Sequence, residues 1–315
     1  IDMAGNLTLL IGLPGSGKST YLKKYEYNRI VCGFGPRILS SDNLRKFLFK
    51  DENDQTHNEE LFDYIKESTV KLLERGYDVI IDATNITRKN RQSIVNYVEN
   101  KITGYLDWCS VKYIVFATPY YQCLINNRKR ERQVPEEVIK RMYKNFEFPT
   151  YNEVYNCNIK IIYPFKLDKE LYGQEHPYQK LMKIKHDTPY HKYTIGEHIE
   201  KTYDIMKILS NDKVMLKAAE LHDIGKPFVK EWKEDGSRAR FLNHANVGSY
   251  EAMFYGKMAK FTEEEIIELC NLIQFHMRIW DCKDNEKATN KLRNIISSSL
   301  YYKLLMLNIA DREAH

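Results

Sequence analysis

An apolar run that leads directly into a glycine-rich turn constrains the fold of this chain more than any other feature of its sequence. The run Leu7–Ile11 predicts a buried strand, and Gly12 to Ser19 then read Gly-Leu-Pro-Gly-Ser-Gly-Lys-Ser, the Walker A pattern, at the start of a predicted helix. Such glycines let successive backbone N–H groups turn toward one anion at the positive end of the helix dipole. This segment therefore predicts an α/β fold with a phosphate-binding loop.

The ligand expected in this loop is ATP or another NTP, together with its Mg²⁺ ion. Lys18 is expected to contact the outer phosphates, and the Ser19 hydroxyl is expected to reach the magnesium, with Thr20 as a weaker candidate. The residues predicted to bind the nucleotide are Gly12, Pro14, Gly15, Ser16, Gly17, Lys18, Ser19 and Thr20. The alternative is a glycine-rich turn without a ligand. It would not explain why the complete motif lies between a predicted strand and a predicted helix.

Short apolar runs alternate with helical patterns up to about residue 163, which predicts a parallel sheet with helices on its faces. The predicted strands, each apolar enough for burial on both faces, are Leu7–Ile11, Arg37–Leu39, Asp78–Asp82, Val111–Phe116 and Ile159–Tyr163. The predicted helices of the second half are Glu197–Leu209, Val214–His222, Glu263–His276 and Lys287–Ala310. A chain of 315 residues is long enough for two such domains.

Polar residues after the second and third strands predict a site for a phosphate acceptor. A phosphoryl transferase needs a base for the proton of the acceptor hydroxyl, and Asp42 is the predicted base, with Arg45 on the same helical face. An N-cap aspartate beside a solvent-facing arginine fits the same spacing. Asp82 ends the third strand and precedes Thr84 and Asn85, where these side chains can orient magnesium, water or the acceptor. A purely structural strand-end aspartate fits that position equally well.

An arginine-rich stretch farther along the chain predicts a mobile lid that closes over the triphosphate and stabilises charge during transfer. Its members are Arg128 and Arg130, the predicted catalytic pair, and Arg132, a predicted substrate contact. A solvated helix face is the alternative interpretation.

Residues 7–150 resemble the kinase domain of phage-type polynucleotide 5′-kinases. The matching pieces are the Gly-x-Pro-Gly-Ser-Gly-Lys-Ser-Thr loop, the Asp42-x-x-Arg45 pair, the Asp82-x-Thr84-Asn85 turn and the arginines before Val134-Pro135. The resemblance implies that Asp42 is the general base and that Arg45 holds the phosphate next to the 5′ end.

The second half of the chain contains histidines and aspartates of the types that bind divalent ions. They are His198, His222, Asp223, His244, His276 and Asp311, on several predicted helices. Imidazole and carboxylate ligands from several helices suit Mn, Fe, Co, Ni, Zn or Mg. A single buried histidine is more often a satisfied core residue, so this interpretation depends on the whole set.

This set resembles the ligands of the HD superfamily of metal-dependent phosphohydrolases in the order His198, His222-Asp223 and Asp311. The resemblance implies that these four residues hold one ion, while His244 and His276 complete a second site that Asp223 bridges. Asp223 is thereby the predicted catalytic centre of this half.

Three further residues lie near this set in the sequence. Lys226, in Asp-Ile-Gly-Lys, is expected to contact a substrate phosphate. The Gly-Tyr-Pro motif of cyclic dinucleotide hydrolases does not follow it, which disfavours that subgroup. His186 and His191, in or near the connector, are interpreted as bystanders.

Taken together, we expect an α/β P-loop kinase, a parallel sheet flanked by helices, followed by an all-α HD-type helical domain. The expected ranges are a P-loop polynucleotide kinase domain at 3–165, a linker at 166–189 and an HD phosphohydrolase domain at 190–315.

The two halves together resemble bifunctional enzymes that heal the ends of a broken strand. The resemblance implies phosphorylation of 5′-hydroxyl ends and removal of a 3′-phosphate or 2′,3′-cyclic phosphate, with an RNA ligase acting downstream. Because the Asp-x-Asp motif of the phage phosphatase domain is absent from the sequence, the 3′ chemistry is expected to be metal-assisted hydrolysis. Cyclic phosphate opening favours RNA, and DNA ends are the alternative. Two other interpretations are a nucleoside or small-molecule kinase fused to an HD nucleotide hydrolase, and a P-loop switch protein whose HD part only binds a nucleotide signal.

Composition agrees with a globular enzyme and sets few limits on partners. Hydrophobic residues make up 43% and charged residues 29%, which excludes a disordered chain. A net charge of +5 permits an anionic partner without requiring a nucleic acid. The sequence has no apolar run of the roughly 18 residues that a membrane helix needs and no Cys-x-x-Cys pair, so we expect a cytoplasmic protein with no membrane contact. The oligomeric state is left open.

Overall fold

The computed structural model describes residues 5–32, 35–51, 56–102, 110–154, 157–189 and 192–315, and of residues 26–32 it describes the backbone alone. The chain divides into two compact units. The first comprises Ile1–Glu136 and Glu153–Pro164, and the second comprises Glu137–Asn152 and Phe165–His315. The domain ranges predicted from the sequence remain an expectation, yet packing groups Glu137–Asn152 with the second unit, where Tyr143, Phe146 and Phe148 are buried.

A five-stranded parallel sheet forms the centre of the first unit. Its strands are β1 (Leu7–Ile11), β2 (Arg37–Ser40), β3 (Val79–Asp82), β4 (Val111–Phe116) and β5 (Cys157–Ile162). Their spatial order is β2-β3-β1-β4-β5, and every neighbouring pair is parallel. The chain passes to opposite sides of β1, which places the loop after β1 at the switch point where open α/β sheets bind ligands. The predicted parallel sheet is confirmed.

Strand β5 differs from its prediction. We expected a strand buried on both faces, but Asn158 and Lys160 are exposed while Ile159 and Ile161 are buried. Because β5 lies at the edge of the sheet, one of its faces reaches solvent and its side chains alternate.

Helices flank this sheet as predicted. They are α1 (Lys18–Cys32), α2 (Ser41–Phe49), α3 (Asn58–Leu73), α4 (Arg88–Lys101) and α5 (Tyr120–Arg128). Helix α3 ends where Gly76, with a φ of 75°, returns its N–H to the carbonyl of Leu73. A left-handed glycine is the usual way to satisfy the last carbonyls of a helix, so this stop signal was readable from sequence.

The second unit is helical, as predicted. Its helices are α6 (Glu136–Lys144), whose first residue belongs to the first unit, α7 (Lys169–Tyr172), α8 (Ile195–Leu209), α9 (Lys213–Leu221), α10 (Lys226–Val229), α11 (His244–Met258), α12 (Glu263–Phe275), α13 (Arg278–Asp281), α14 (Glu286–Arg293) and α15 (Ser298–Glu313). A short antiparallel hairpin, β6 (Glu231–Trp232) and β7 (Ala239–Arg240), interrupts them. Among the described helices, none has both the length and the apolar content needed to cross a bilayer.

The predicted helix Lys287–Ala310 is wrong as a single element. Two helices, α14 and α15, replace it, because the Ser297 side chain accepts the N–H of Leu300 at 3.2 Å and starts a new helix. An N-cap serine inside an apolar pattern was the signal for this break.

A carboxyl group buried in the second unit joins three segments. Glu251, on α11, accepts hydrogen bonds from the hydroxyls of Tyr143 at 2.5 Å and Tyr172 at 3.2 Å. Burial raises the pKa of Glu251 to about 7, against which the two tyrosine hydrogen bonds act only partly. Because its pKa is raised on folding, this group stabilises the fold fully below its ordinary pKa and loses that effect as the pH rises through about 7.

The native chain should lose stability as the pH rises and Glu251 ionises, and we expect Glu251→Gln to remove this loss. Between pH 4.5 and 7.5 the free energy of unfolding of the variant, measured in urea relative to the native chain, should rise by about 3 kcal/mol. Glu234→Gln, at an exposed carboxylate of the same unit, is the control and should show no such trend. A variant-to-native difference that is flat across this pH range would contradict the raised pKa.

Candidate functional sites

The phosphate-binding loop has a backbone conformation that requires glycine. Gly15 and Gly17 have φ values of 80° and 98°, in the left-handed region. A Cβ at Gly15 would also lie 2.4 Å from the carbonyl oxygen of Cys123. Both positions therefore need a residue without a side chain, as the motif indicated.

Lys18 is held over this loop. Its buried ammonium donates to the carbonyls of Gly12 at 2.8 Å and Leu13 at 2.9 Å. Burial lowers the pKa of Lys18, and the charge of Asp82 opposes that shift. Ser19 and Thr20 are exposed in the first turn of α1, so the structure leaves both hydroxyls accessible for an ion.

Two side chains outside the motif fix the loop by binding its carbonyls. Asn126, on α5, donates to Gly15 O at 2.9 Å, and Thr118, after β4, donates to Ser16 O at 2.9 Å. With these carbonyls bound, the loop has fewer alternative conformations. Sequence reasoning missed both residues, because only the fold brings them to the loop.

Asp42 lies in the first turn of α2 with two arginines around it. Its Oδ1 is 3.3 Å from Nη1 of Arg45 and 2.9 Å from Nη1 of Arg132. Arg45 is only 6% exposed and also donates to Asn58 Oδ1 at 2.8 Å. Ser40, not Asp42, occupies the N-cap position. The alternative of an N-cap aspartate beside a solvent-facing arginine is therefore wrong.

Asp82 belongs to the surroundings of Lys18. It ends β3 and pairs in register with Ser40 of β2. Burial raises the pKa of the Asp82 carboxyl, while the Lys18 ammonium opposes this shift. The charges of Asp82 and of Lys18 in the phosphate loop therefore act on each other.

Hydrogen bonds to β1 and to the phosphate loop hold the turn that follows β3. The half-buried Thr84 accepts the N–H of Gly12 at 3.1 Å through its carbonyl. Asn85 is buried and donates to Leu10 O at 2.8 Å. Their predicted substrate contacts remain predictions, whereas the structure shows Thr84 bound to the loop and Asn85 bound to β1.

A buried ion pair supports the same turn. Arg91, on α4, donates to both carboxylate oxygens of Glu153 at 2.8 and 2.7 Å, and from Nη1 to Asn85 O at 3.0 Å. Both side chains are essentially inaccessible. Loss of either partner would leave the other charge buried and uncompensated. No short motif marks this pair, because 62 residues separate its members.

The three arginines of the predicted lid do not converge on one point. Arg128 is 60% exposed and forms a 2.7 Å ion pair with Glu136. Arg130 acts electrostatically on Lys18, and Arg132 binds Asp42. A phosphate contact by Arg128 would require its ion pair with Glu136 to open.

In the second unit, helix ends bring the predicted metal ligands together. His198 lies in the first half of α8, which begins with a capping box between Thr194 and Glu197. His222 and His276 follow the last residues of α9 and α12, and His244 opens α11. Asp223 follows His222, and Asp311 lies near the end of α15. The capped start of α8 therefore sets the position of His198.

The first ligand group surrounds the Nε2 atom of His198. This atom is 3.0 Å from Asp311 Oδ1, 3.2 Å from His222 Nε2 and 3.5 Å from Asp223 Oδ2. All four side chains are buried. The geometry thus gathers the four residues predicted to hold one ion.

The second ligand group uses the other oxygen of Asp223. Its Oδ1 is 3.4 Å from His244 Nε2 and 3.9 Å from His276 Nε2. Its Oδ2 is 3.4 Å from His222 Nε2 in the first group. Asp223 therefore lies between two groups whose ligand atoms are close enough to hold an ion each.

The protonation of these imidazoles fits a bound cation. Nδ1 of His244 and of His276 donates to the carbonyl three residues earlier, at 2.8 and 2.6 Å, so each Nε2 has a free lone pair. These two Nε2 atoms face each other at 3.3 Å. Burial lowers the pKa of His244 and lowers that of His276 to about 3, so both rings are neutral. Two facing lone pairs repel, and a divalent cation that both bind relieves this repulsion.

Comparison with family models assigns both units. Residues 194–303 match the HD domain, and residues 7–149 match AAA_33, an AAA domain. Each model matches less than half of the chain. The two matches agree with the observed fold, a P-loop kinase-like parallel sheet followed by a helical HD domain.

Three individual relatives each match less than half of this chain. Over 147 residues the chain is 30% identical to the L-seryl-tRNA(Sec) kinase of Methanococcus maripaludis, and the match covers 45% of this chain and 53% of that protein. The chain thus spans about half the length of this curated relative. A chain in the solved structure of the Pnkp1/Rnl/Hen1 RNA repair complex is 22% identical, with 45% of this chain and 44% of that chain covered and a TM-score of 0.36. The Mycobacterium tuberculosis APS kinase CysC is also 22% identical, with 40% and 70% covered and a TM-score of 0.33.

Electrostatics keep the carboxylates of the HD domain ionised. Burial alone would raise the pKa of Asp223, but Lys226 and His222 hold it well below its usual range. Burial likewise opposes ionisation of Asp311, but the hydrogen bond from His198 and the charge of His222 together lower its pKa. Ionised carboxylates and neutral imidazoles are the forms that bind divalent ions.

The HD domain also contains a residue that sequence reasoning set aside. His186, interpreted as a bystander, has its Nε2 3.1 Å from Lys226 Nζ and its ring centre 5.9 Å from that of His198. A β-bridge between Lys185 and Thr194 brings the connector back to α8, and this long-range pairing has no local sequence signal. His191 lies outside the described residues.

Proposed function

We propose that this chain heals the ends of broken nucleic-acid strands, with RNA as the primary substrate and DNA ends as the alternative. The AAA domain phosphorylates a 5′-hydroxyl from an NTP, and the HD domain removes a 3′-phosphate or opens a 2′,3′-cyclic phosphate. The observation that supports this most is the presence of two chemically distinct candidate sites in one chain, a glycine-rich loop around Lys18 and a cluster of histidines and aspartates around Asp223.

The 5′ reaction follows from the residues around the loop. The loop amides and Lys18 bind the triphosphate, and Ser19 reaches the Mg²⁺ that accompanies it. The 5′-hydroxyl oxygen attacks the γ-phosphorus, its proton passes to the 45% exposed carboxylate of Asp42, and a nucleoside diphosphate leaves. Arg45 holds the phosphate next to the 5′ end, and Arg130 offsets the negative charge that moves onto the leaving group.

The 3′ reaction follows from the HD cluster. His198, His222, Asp223 and Asp311 would hold one divalent ion, and His244, His276 and Asp223 a second. Such ions activate water near neutral pH and neutralise a phosphate. Lys226, 2.6 Å from Asp223 Oδ2, would bind a phosphate oxygen while water attacks the phosphorus and the bond to the ribose oxygen breaks. A 3′-phosphate is thereby released as inorganic phosphate. A cyclic ester first opens to a phosphomonoester, and a second hydrolysis then releases inorganic phosphate and leaves a 3′-hydroxyl.

The products suggest a partner. Healing leaves a 5′-phosphate and a 3′-hydroxyl, which are the two groups that a strand-sealing ligase joins. We therefore propose that an RNA ligase acts after this protein.

A second candidate for the AAA domain is phosphorylation of L-seryl-tRNA. The 30% identity over 147 residues to a protein named as an L-seryl-tRNA(Sec) kinase favours it. The two candidates share the donor and differ in the acceptor hydroxyl, so an acceptor assay separates them.

The test offers γ-labelled ATP to 5′-hydroxyl RNA and DNA oligonucleotides, free nucleosides and L-seryl-tRNA. We expect label on the RNA 5′ end, and loss of a general base in Asp42→Asn should slow transfer by about a hundredfold or more. Asp63→Asn, at an exposed aspartate paired with Lys66 at 3.0 Å, is the matched control and should transfer normally.

Other outcomes of the same assay identify the alternatives. Label on L-seryl-tRNA alone would replace the proposal with the second candidate, and label on nucleosides alone would indicate a small-molecule kinase. ATP hydrolysis without any labelled acceptor would indicate a P-loop switch.

A further inference from the structure

The ammonium group of Lys226 is held from two sides in the HD domain. Its Nζ lies 2.6 Å from Asp223 Oδ2 and 3.1 Å from His186 Nε2. The ring of Phe241 lies below it, with its centre 5.6 Å from Nζ. Lys226 is only 6% exposed, so these neighbours determine where its charge points.

The segment that bears His186 is anchored to the hairpin that follows Lys226. Lys230 Nζ donates to Lys185 O at 2.6 Å and to Asp187 Oδ2 at 2.5 Å. The N–H of Ala239 donates to Asp187 O at 2.9 Å. These contacts hold the backbone on both sides of His186, whose own side chain is 1% exposed. The imidazole therefore has a fixed position beside Lys226.

A hydrogen bond also determines which ring nitrogen faces the lysine. His186 Nδ1 lies 2.9 Å from the carbonyl oxygen of Tyr193, which can only accept, so Nδ1 is the donor. Nε2 then presents a lone pair to the ammonium group of Lys226. The contact is a charge-assisted hydrogen bond in which Lys226 donates.

We propose that His186 is a positioning residue, which keeps Lys226 directed at the substrate phosphate while Asp223 binds metal. Both oxygens of Asp223 face histidine ligands, so cations held there compete with Lys226 for the same carboxylate. Among the described neighbours, His186 contacts the Lys226 ammonium through a polar atom and lies outside the predicted ligand set. This inference rests on the phosphate contact assigned to Lys226 in the proposed function.

The test measures binding of inorganic phosphate to the Mn²⁺-loaded full chain by calorimetry, alongside the Mn²⁺ content of each variant. Losing one hydrogen bond to the charged lysine in His186→Phe should weaken phosphate binding about tenfold. The Mn²⁺ content should stay unchanged. His186→Gln, which can place an acceptor oxygen near the ammonium, should restore most of the affinity and guards against a folding defect in the phenylalanine variant.

Two further variants separate positioning from a general structural effect. In a Lys226→Ala background, His186→Phe should have no additional effect on phosphate affinity, because the residue acts through the lysine. His176→Phe removes another histidine of this unit, one bound to Glu220 at 2.6 Å, and should leave phosphate affinity unchanged.

Three results would each overturn the proposal. His186→Phe could bind phosphate with native affinity, His186→Phe could lower phosphate affinity equally with and without Lys226, or the native chain could bind no phosphate. Phosphate binding that follows this pattern in a protein inactive on 3′ ends would retain the role of His186 and refute the proposed function.

Discussion

Asp223→Asn is expected to abolish hydrolysis of 3′-phosphate and 2′,3′-cyclic phosphate ends and to leave 5′ phosphorylation unchanged. Asp223 lies within ion-pair distance of both ligand groups, through its two carboxylate oxygens. An asparagine keeps the shape but supplies neither the charge nor the second anionic oxygen. Since metal assistance is worth several kcal/mol at the transition state, hydrolysis should fall by about a thousandfold.

The measurement compares both activities of the variant on one doubly labelled oligonucleotide, together with its metal content. Asp235→Asn, at an exposed aspartate in the β6–β7 turn, is the matched control and should retain both activities. Equal loss of phosphorylation and hydrolysis in Asp223→Asn would contradict two independent sites.

Lys18→Ala is expected to slow 5′ phosphorylation strongly and to leave hydrolysis at 3′ ends unchanged. The buried ammonium is the one cationic group bonded directly to the described carbonyls of the loop, at Gly12 and Leu13. Its removal takes a positive charge from the γ-phosphate in the transition state, which should slow phosphoryl transfer by about a hundred- to a thousandfold. Hydrolysis at 3′ ends should persist at the native rate.

A control for this variant lies on the same helix. Lys24 has its ammonium 3.8 Å from the centre of the Tyr21 ring, and Lys24→Ala should leave transfer intact. Transfer by Lys18→Ala at more than about a tenth of the native rate would show that the loop is not the donor site, since one such contact is worth more than tenfold.

The features predicted correctly from the sequence are those that depend on local order. The loop from Gly12 to Ser19 is one continuous motif between a strand and a helix, so its position needs no tertiary information. His222 and Asp223 are adjacent in sequence and follow the end of α9, and their grouping with His198 was implied by the resemblance to the HD superfamily.

The features that sequence reasoning missed depend on contacts between distant residues. Arg91 and Glu153 form their ion pair across 62 residues, and neither belongs to a motif. Tyr143 follows the arginines of the predicted lid in sequence, yet it belongs to the second unit and its hydroxyl donates to Glu251 there. His186 reaches Lys226 only because a β-bridge folds the connector back. Each outcome is decided by the burial of a whole segment, which a local pattern does not encode.

Anomalous X-ray scattering from crystals of the Mn²⁺-loaded chain is the measurement on which the metal assignment depends. We expect two peaks, one bound by His198, His222 and Asp311 and one bound by His244 and His276, with Asp223 between them. A well-ordered HD domain with no peak at these imidazoles, or with its metal elsewhere on the chain, would contradict the assignment.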